Sequence, residues 1–113
     1  MLPKINRLRG NKIFERVKKQ GFIIQGDIFG LVIYNRKDKN PSRFGFVVSN
    51  KISKKAVERN RIKRILRQSL TPLLKDFKNG YDLVFLTKQS ILKSNISVIV
   101  EEVEKMAKEG GVL

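Results

Sequence analysis

Apolar residues recur along this chain in two rhythms. The first is short and β-rich. FIIQ (Phe22–Gln25), IFGLVIY (28–34), RFGFVVS (43–49) and YDLVFLT (Tyr81–Thr87) are rich in β-branched and aromatic residues. Gly, Asn, Asp and Pro lie between them, as expected between strands. Alternation puts Phe29, Leu31 and Ile33 on one face, and likewise Phe44, Phe46 and Val48. The polar NRKDKNPS between the second and third runs reads as a hairpin loop.

The second rhythm has the 3.6-residue period of helices. In Asn11–Gln20, Ile13, Phe14 and Val17 gather on one side, with Asn11 as cap and Gly21 as stop. From about Ala56 onward, Ile62, Ile65, Leu66, Leu70 and Leu73 make an apolar stripe, and Pro72 kinks or restarts the helix near its end. Ile96, Ile99, Val100, Val103 and Ala107 predict a last helix closed by Gly110-Gly111. No repeat or linker divides the chain, so residues 1–113 read as a single small domain. The order α-β-β-β-α-β-α predicts the α+β class: a four-stranded mixed sheet packed by helices.

Composition narrows the function. At 113 residues and 41% hydrophobic, the chain can build one core. No stretch approaches the roughly 18 apolar residues of a membrane span, and MLPKINRLRG has no apolar signal-peptide region. Cysteine is absent, which removes disulfides, thiolate metal sites and a Cys nucleophile. A cytoplasmic location is expected. The net charge is +15, and its placement is uneven: residues 1–67 hold 19 Lys and Arg against 4 acids, whereas residues 68–113 hold 6 against 6. Such asymmetry calls for a polyanionic partner.

The charge is densest in VERNRIKRILRQSL, residues 57–70, with Arg59, Arg61, Lys63, Arg64 and Arg67. On a helix, Asn60, Lys63, Arg64 and Arg67 fall at i, i+3, i+4 and i+7, a cationic row about 10 Å long beside the apolar stripe. Arg61 flanks it, and Glu58 is the only acid near. The preceding SNKISKK adds Lys51, Lys54 and Lys55. A merely solvated face would mix signs, and this one does not. A membrane-binding helix would expose large apolar residues beside its cations, often Trp, and the chain has no Trp. Guanidinium forks suit phosphates and stacking on bases. The row therefore reads as a nucleic-acid face.

The chain offers little to an autonomous nuclease. It has no His and no Cys, and three of its ten carboxylates (Glu101, Glu102, Glu104) crowd the last helix. No spacing resembles an acid–base pair or a metal cage. The expectation is no catalytic residue, no protein metal site and no small-molecule substrate.

The run KISKKAVERNRIKRILRQ resembles the signature of the bacterial ribonuclease P protein subunit, centred on Arg59-Asn60-Arg61 and followed by Ile62-Lys63-Arg64 and Arg67. The resemblance continues in order through RLRGNKIFERVKKQG, FGLVIY, RFGFVVS and GYDLVFLTK, nearly the whole chain. It implies an α–β sandwich with a left-handed βαβ crossover, opposite to the general rule. It implies a partner of a catalytic RNA that removes the 5′ leader of precursor tRNA, with Mg²⁺ held mainly by the RNA. Lys54, Lys55, Arg59, Asn60, Arg61, Lys63, Arg64 and Arg67, with Arg7 and Arg9, would then meet the catalytic RNA. A cleft between the first helix and the sheet would hold the single-stranded leader, lined by Phe14, Lys18, Val32, Ser49, Lys51 and Arg67. Phe14 could equally be a core residue.

The sequence departs from the family in three places. Many relatives carry a second Phe four residues after the first, where this chain has Lys18. An aromatic common near Val32 is missing, and Asn50-Lys51 replaces a frequent Lys-Lys pair. The Lys18 change favours phosphate contacts over stacking. The competing reading is a ribosomal or general RNA-binding protein, which would not prefer tRNA carrying a leader. A stand-alone enzyme would cleave RNA without an RNA cofactor.

Overall fold

The computed structural model describes residues 2–113. Its elements are α1 (Asn11–Gln20), β1 (Phe22–Gln25), β2 (Phe29–Asn35), β3 (Arg43–Val47), α2 (Ala56–Leu70), β4 (Tyr81–Thr87) and α3 (Ile96–Glu109). A 3₁₀ turn at Thr71–Asp76, with Pro72 at its start, follows α2 directly. The strand order is β1-β2-β4-β3. β1 pairs antiparallel with β2, β2 antiparallel with β4, and β3 parallel with β4.

This order corrects the expected hairpin, because β2 and β3 do not touch as strands: β4 lies between them. The connecting loop is instead tied to the start of β4. Arg36 N–H donates to Gly80 O (2.8 Å), and Gly80 N–H donates to Asn40 O (2.8 Å). Gly80 sits at φ +93°, and a Cβ there would strike the Asp38 carbonyl. The buried run Asp82 to Phe85 marks β4 as a central strand, covered on both faces.

Two apolar layers hold the sandwich. On one face α2 and α3 pack on Phe29, Leu31, Ile33, Phe44, Leu83 and Phe85 through Ile62, Ile65, Leu66, Leu70, Ile99 and Val103. On the other face α1 packs on Val32 and Val84 through Val17. Val17 is the single fully buried residue of α1. Burial of such a side chain contributes about 1.5–3 kcal/mol, so α1 is held by few contacts.

Two further expectations need adjustment. The cap of α1 is Gly10, at φ 92°; Asn11 is already the first helical residue. The buried stripe of α3 is Ile99, Val103, Met106 and Ala107. Ile96 and Val100 are exposed, because the helix turns them past the edge of the α2 contact. Asn95 caps α3 by accepting from Val98 N–H at 3.0 Å.

Register fixes what lies beneath α1. Paired residues share a face, so three rows cross the sheet on the α1 side. They are Gln25–Gly30–Leu86–Val47, then Ile23–Val32–Val84–Gly45, then Tyr34–Asp82–Arg43. The helix covers the middle row.

Candidate nucleic-acid interface

A cleft opens at the β3 edge of the sheet, between α1 on one face and α2 on the other. It is lined by Leu2, Leu8, Phe44, Gly45 and Phe46, by Phe14 of α1, and by Arg7, Arg9, Lys63 and Arg67. The short stretch before α1 closes its upper wall: Leu8 N–H donates to Phe44 O at 2.9 Å. Arg7 is half-buried there, its Nε donating to Leu2 O at 2.8 Å. The floor is apolar and the rim is cationic.

Gly45 shapes the cleft. The ring of Phe14 lies directly over it, in the space a side chain would fill. A glycine inside a strand signals close approach of another group, and that signal was available in RFGFVVS. Phe46 also lines the cleft, on the face where alternation put it. Its face is that of the core, and it stacks on Phe85 with ring centroids 5.5 Å apart. Yet it remains half-exposed, and the Arg67 guanidinium sits 5.8 Å above its ring. Arg67 is thus pinned by a cation–π contact with its fork at the cleft.

The α2 cations stand in two groups. Lys63 and Arg67 are half-buried and turn to the cleft. Asn60, Arg61 and Arg64, with Lys54 and Lys55 ahead of the helix, are exposed. Arg59 is partly committed to the fold, donating to Ser53 O at 2.8 Å. Among the described residues, ion pairs join only Arg36, Arg43, Lys105 and Lys108 to carboxylates. The α2 row therefore keeps its charge free of the protein's own acids, as an interface for phosphates requires.

Arg36 and Arg43 behave differently. Asp82 is fully buried and accepts from Arg43 Nε at 2.8 Å, Arg43 Nη2 at 2.7 Å and Arg36 Nη1. Arg36 also holds Asp38 and the carbonyls of Tyr81, Asn40 and Pro41. Burial draws the Arg36 pKa down, but the hydrogen bonds it donates to Asp38 and Asp82 outweigh it and raise the value. Those two arginines serve the fold rather than a ligand.

The remaining candidates are spread along the α1 face. Lys18 is exposed on the flank of α1 that also carries Phe14. Ser49 and Lys51 are exposed just beyond the end of β3, where Ile52 N–H closes a turn on Ser49 O at 3.0 Å. Leu86 and Val47, half-exposed in the row that α1 leaves open, add an apolar shelf that the sequence did not single out. Val32 requires a correction. It is only 3% exposed, sealed beneath α1 against Val17 and Val84, and has no surface to line a cleft.

Among the described residues, no three His, Cys, Asp or Glu side chains converge as a metal cage. No described helix is long and apolar enough to cross a membrane.

Comparison with known proteins follows the same lines. The sequence model of the family described as Ribonuclease P matches residues 2–110. The Ribonuclease P protein component of Clostridium botulinum (strain Loch Maree / Type A3) is 36% identical over 111 residues, covering 96% of this chain and 97% of that protein. The one from Pseudanabaena is 34% identical over 113 residues, covering 100% and 97%. The solved structure of the Staphylococcus aureus RNase P protein superposes with a TM-score of 0.86 at 28% identity, covering 96% of this chain and 98% of that one.

Proposed function

The chain belongs to the ribonuclease P protein family, and we propose from its surfaces how it divides its contacts among RNAs. It is a protein component of a ribonucleoprotein endoribonuclease and partners a ribonuclease P RNA. In the proposed division, Arg61, Arg64, Lys54 and Lys55, with Asn60 and Arg59 at the helix start, grip the backbone of that RNA. The cleft beside them receives the 5′ leader of precursor tRNA. One observation carries this reading: an α2 cationic row free of internal ion pairs shares one cleft with Phe14.

Each side chain has a physical task. Phe14, fixed over Gly45, offers a stacking face to an unpaired base, worth about 1–3 kcal/mol. Lys63 and Arg67 supply phosphate contacts on the opposite wall, and Arg7 and Arg9 do so at the rim. Lys18, Ser49 and Lys51 extend the polar track along the open shelf. Mg²⁺ held mainly by the RNA would supply the hydrolytic chemistry. The protein binds and orients the substrate, and works in the cytoplasm.

The test is reconstitution. The chain is added to a bacterial ribonuclease P RNA and precursor tRNA at low Mg²⁺. Faster cleavage is expected, with tighter binding of leader-bearing than of mature tRNA. No gain in cleavage overturns the proposal, and equal binding of both tRNAs would favour a general RNA-binding protein.

A further inference from the structure

Helix α1 separates the uncovered sheet surface into two troughs. One borders Phe14 and Lys18. The other lies on the opposite flank, over Tyr34 in the row Tyr34–Asp82–Arg43. There the Arg16 guanidinium stands 5.3 Å above the Tyr34 ring. On a wheel of 100° per residue, Arg16 and Lys18 are about 160° apart, so the two troughs cannot share one nucleotide.

We propose that this second flank docks ribonuclease P RNA, an unpaired base of which stacks on the outer face of the Arg16 guanidinium. The ring, guanidinium and base would form a three-layer stack. Tyr34 is half-buried against the small core under α1, so its ring is held in place, and Arg16 is exposed above it. A guanidinium is planar and weakly hydrated, suited to stacking on both faces. Lys12 and Lys19 lie at i−4 and i+3 from Arg16, both exposed, giving a cationic row about 10 Å long for the adjoining phosphates. Glu15, on the outward side of the helix, makes no ion pair with them within 4 Å among the described residues. Beneath, Arg36 and Arg43 are matched by Asp82 and Asp38, so the trough floor is near neutral and the free charge sits on the helix. Charge and stacking together fit single-stranded RNA rather than a protein partner.

The inference rests on the chain being an RNA partner, and the experiment separates the two. Affinity for ribonuclease P RNA, alone and with precursor tRNA bound, is measured across salt for Arg16→Ala, Arg16→Lys and Lys12→Ala/Lys19→Ala. Arg64→Ala/Arg67→Ala serves as control. Arg16→Ala should weaken binding of ribonuclease P RNA about fivefold or more, with or without precursor tRNA, the loss of one stacked base, and a loss seen only with precursor tRNA bound would overturn the assignment. Arg16→Lys should keep the salt slope but not the affinity. If all α1 variants bind as the unsubstituted chain does while the α2 control weakens, the second trough is overturned and the functional reading stands. If the α2 control is also silent, both fall. An equal loss on a blunt RNA duplex would overturn the stacking claim, since a duplex offers no unpaired base.

Discussion

The ring of Phe14 rests on the backbone of Gly45: a Cβ at Gly45 would lie 2.6 Å from Cε1 of Phe14 and 3.2 Å from Cδ2 of Leu8. Strand β3 therefore sets the ring's position, and only glycine leaves room for it. Gly45→Ala should lift the ring, destabilise the fold by about 1–3 kcal/mol through overpacking, and weaken binding of leader RNA. Phe14→Leu should nearly preserve stability and lose only the RNA affinity. Urea unfolding and titration with a leader oligonucleotide measure both. A Gly45→Ala protein as stable as its parent, with unchanged binding, would refute the contact.

Across the cleft, Arg67 adds a second prediction. Each phosphate neutralised on a single strand contributes about −0.7 to the slope of log K against log salt. Replacing Arg67 with Ala should therefore flatten the slope for leader RNA by about 0.7. Loss of Arg67 also removes its contact with Phe46, about 0.5–1 kcal/mol of stability, too little to unfold the chain. Binding isotherms at several salt concentrations test the slope. An unaltered slope would remove Arg67 from the leader interface.

Much of this fold was legible because apolar period and burial agree. Ile62, Ile65, Leu66 and Leu70 repeat at helical spacing and are all buried, leaving the α2 cations outside. The spans Phe22–Gln25 and Tyr81–Thr87 were readable to the residue, and the first helix was readable except for its cap, which is Gly10 and not Asn11. Strand order was not. A short polar loop between two strands suggests a hairpin, whereas here Arg36 ties that loop to Tyr81 and Asp82, and β4 enters between β2 and β3. A salt bridge spanning 46 residues leaves no local trace in sequence. Within the site, alternation placed Phe46 correctly on the core face but could not show that Arg67 would fold over its free edge. Val32 was misread because nothing local reveals which row of the sheet α1 will cover.

Asp82 is the pivot of that tie. It is fully buried and joined to two arginines, so removing its charge leaves Arg43 without a carboxylate and Arg36 with Asp38 alone. Breaking a buried pair in this way costs about 3–5 kcal/mol. Asp82→Asn should lower the urea midpoint sharply, far more than Lys105→Ala, whose pair with Glu102 is exposed and 3.9 Å long. Similar midpoints for the two variants would mean that Asp82 is not a structural anchor.

Asp38 supplies a pH signature for the same loop. The Arg36 hydrogen bond holds its carboxyl below the usual carboxylate range, helped by the Asn40 amide, which donates to Oδ1 at 3.0 Å. A carboxylate whose pKa is depressed by folding stabilises fully above its unfolded value and loses that contribution as pH falls through the folded one. The difference in unfolding midpoint between the parent and Asp38→Asn should be constant near neutrality and shrink between about pH 5 and pH 2. Because Asp38 is exposed to solvent, added salt should also reduce the difference. A gap independent of both pH and salt would show that Asp38 holds the loop by shape alone, and the Arg36 pair would lose its electrostatic role.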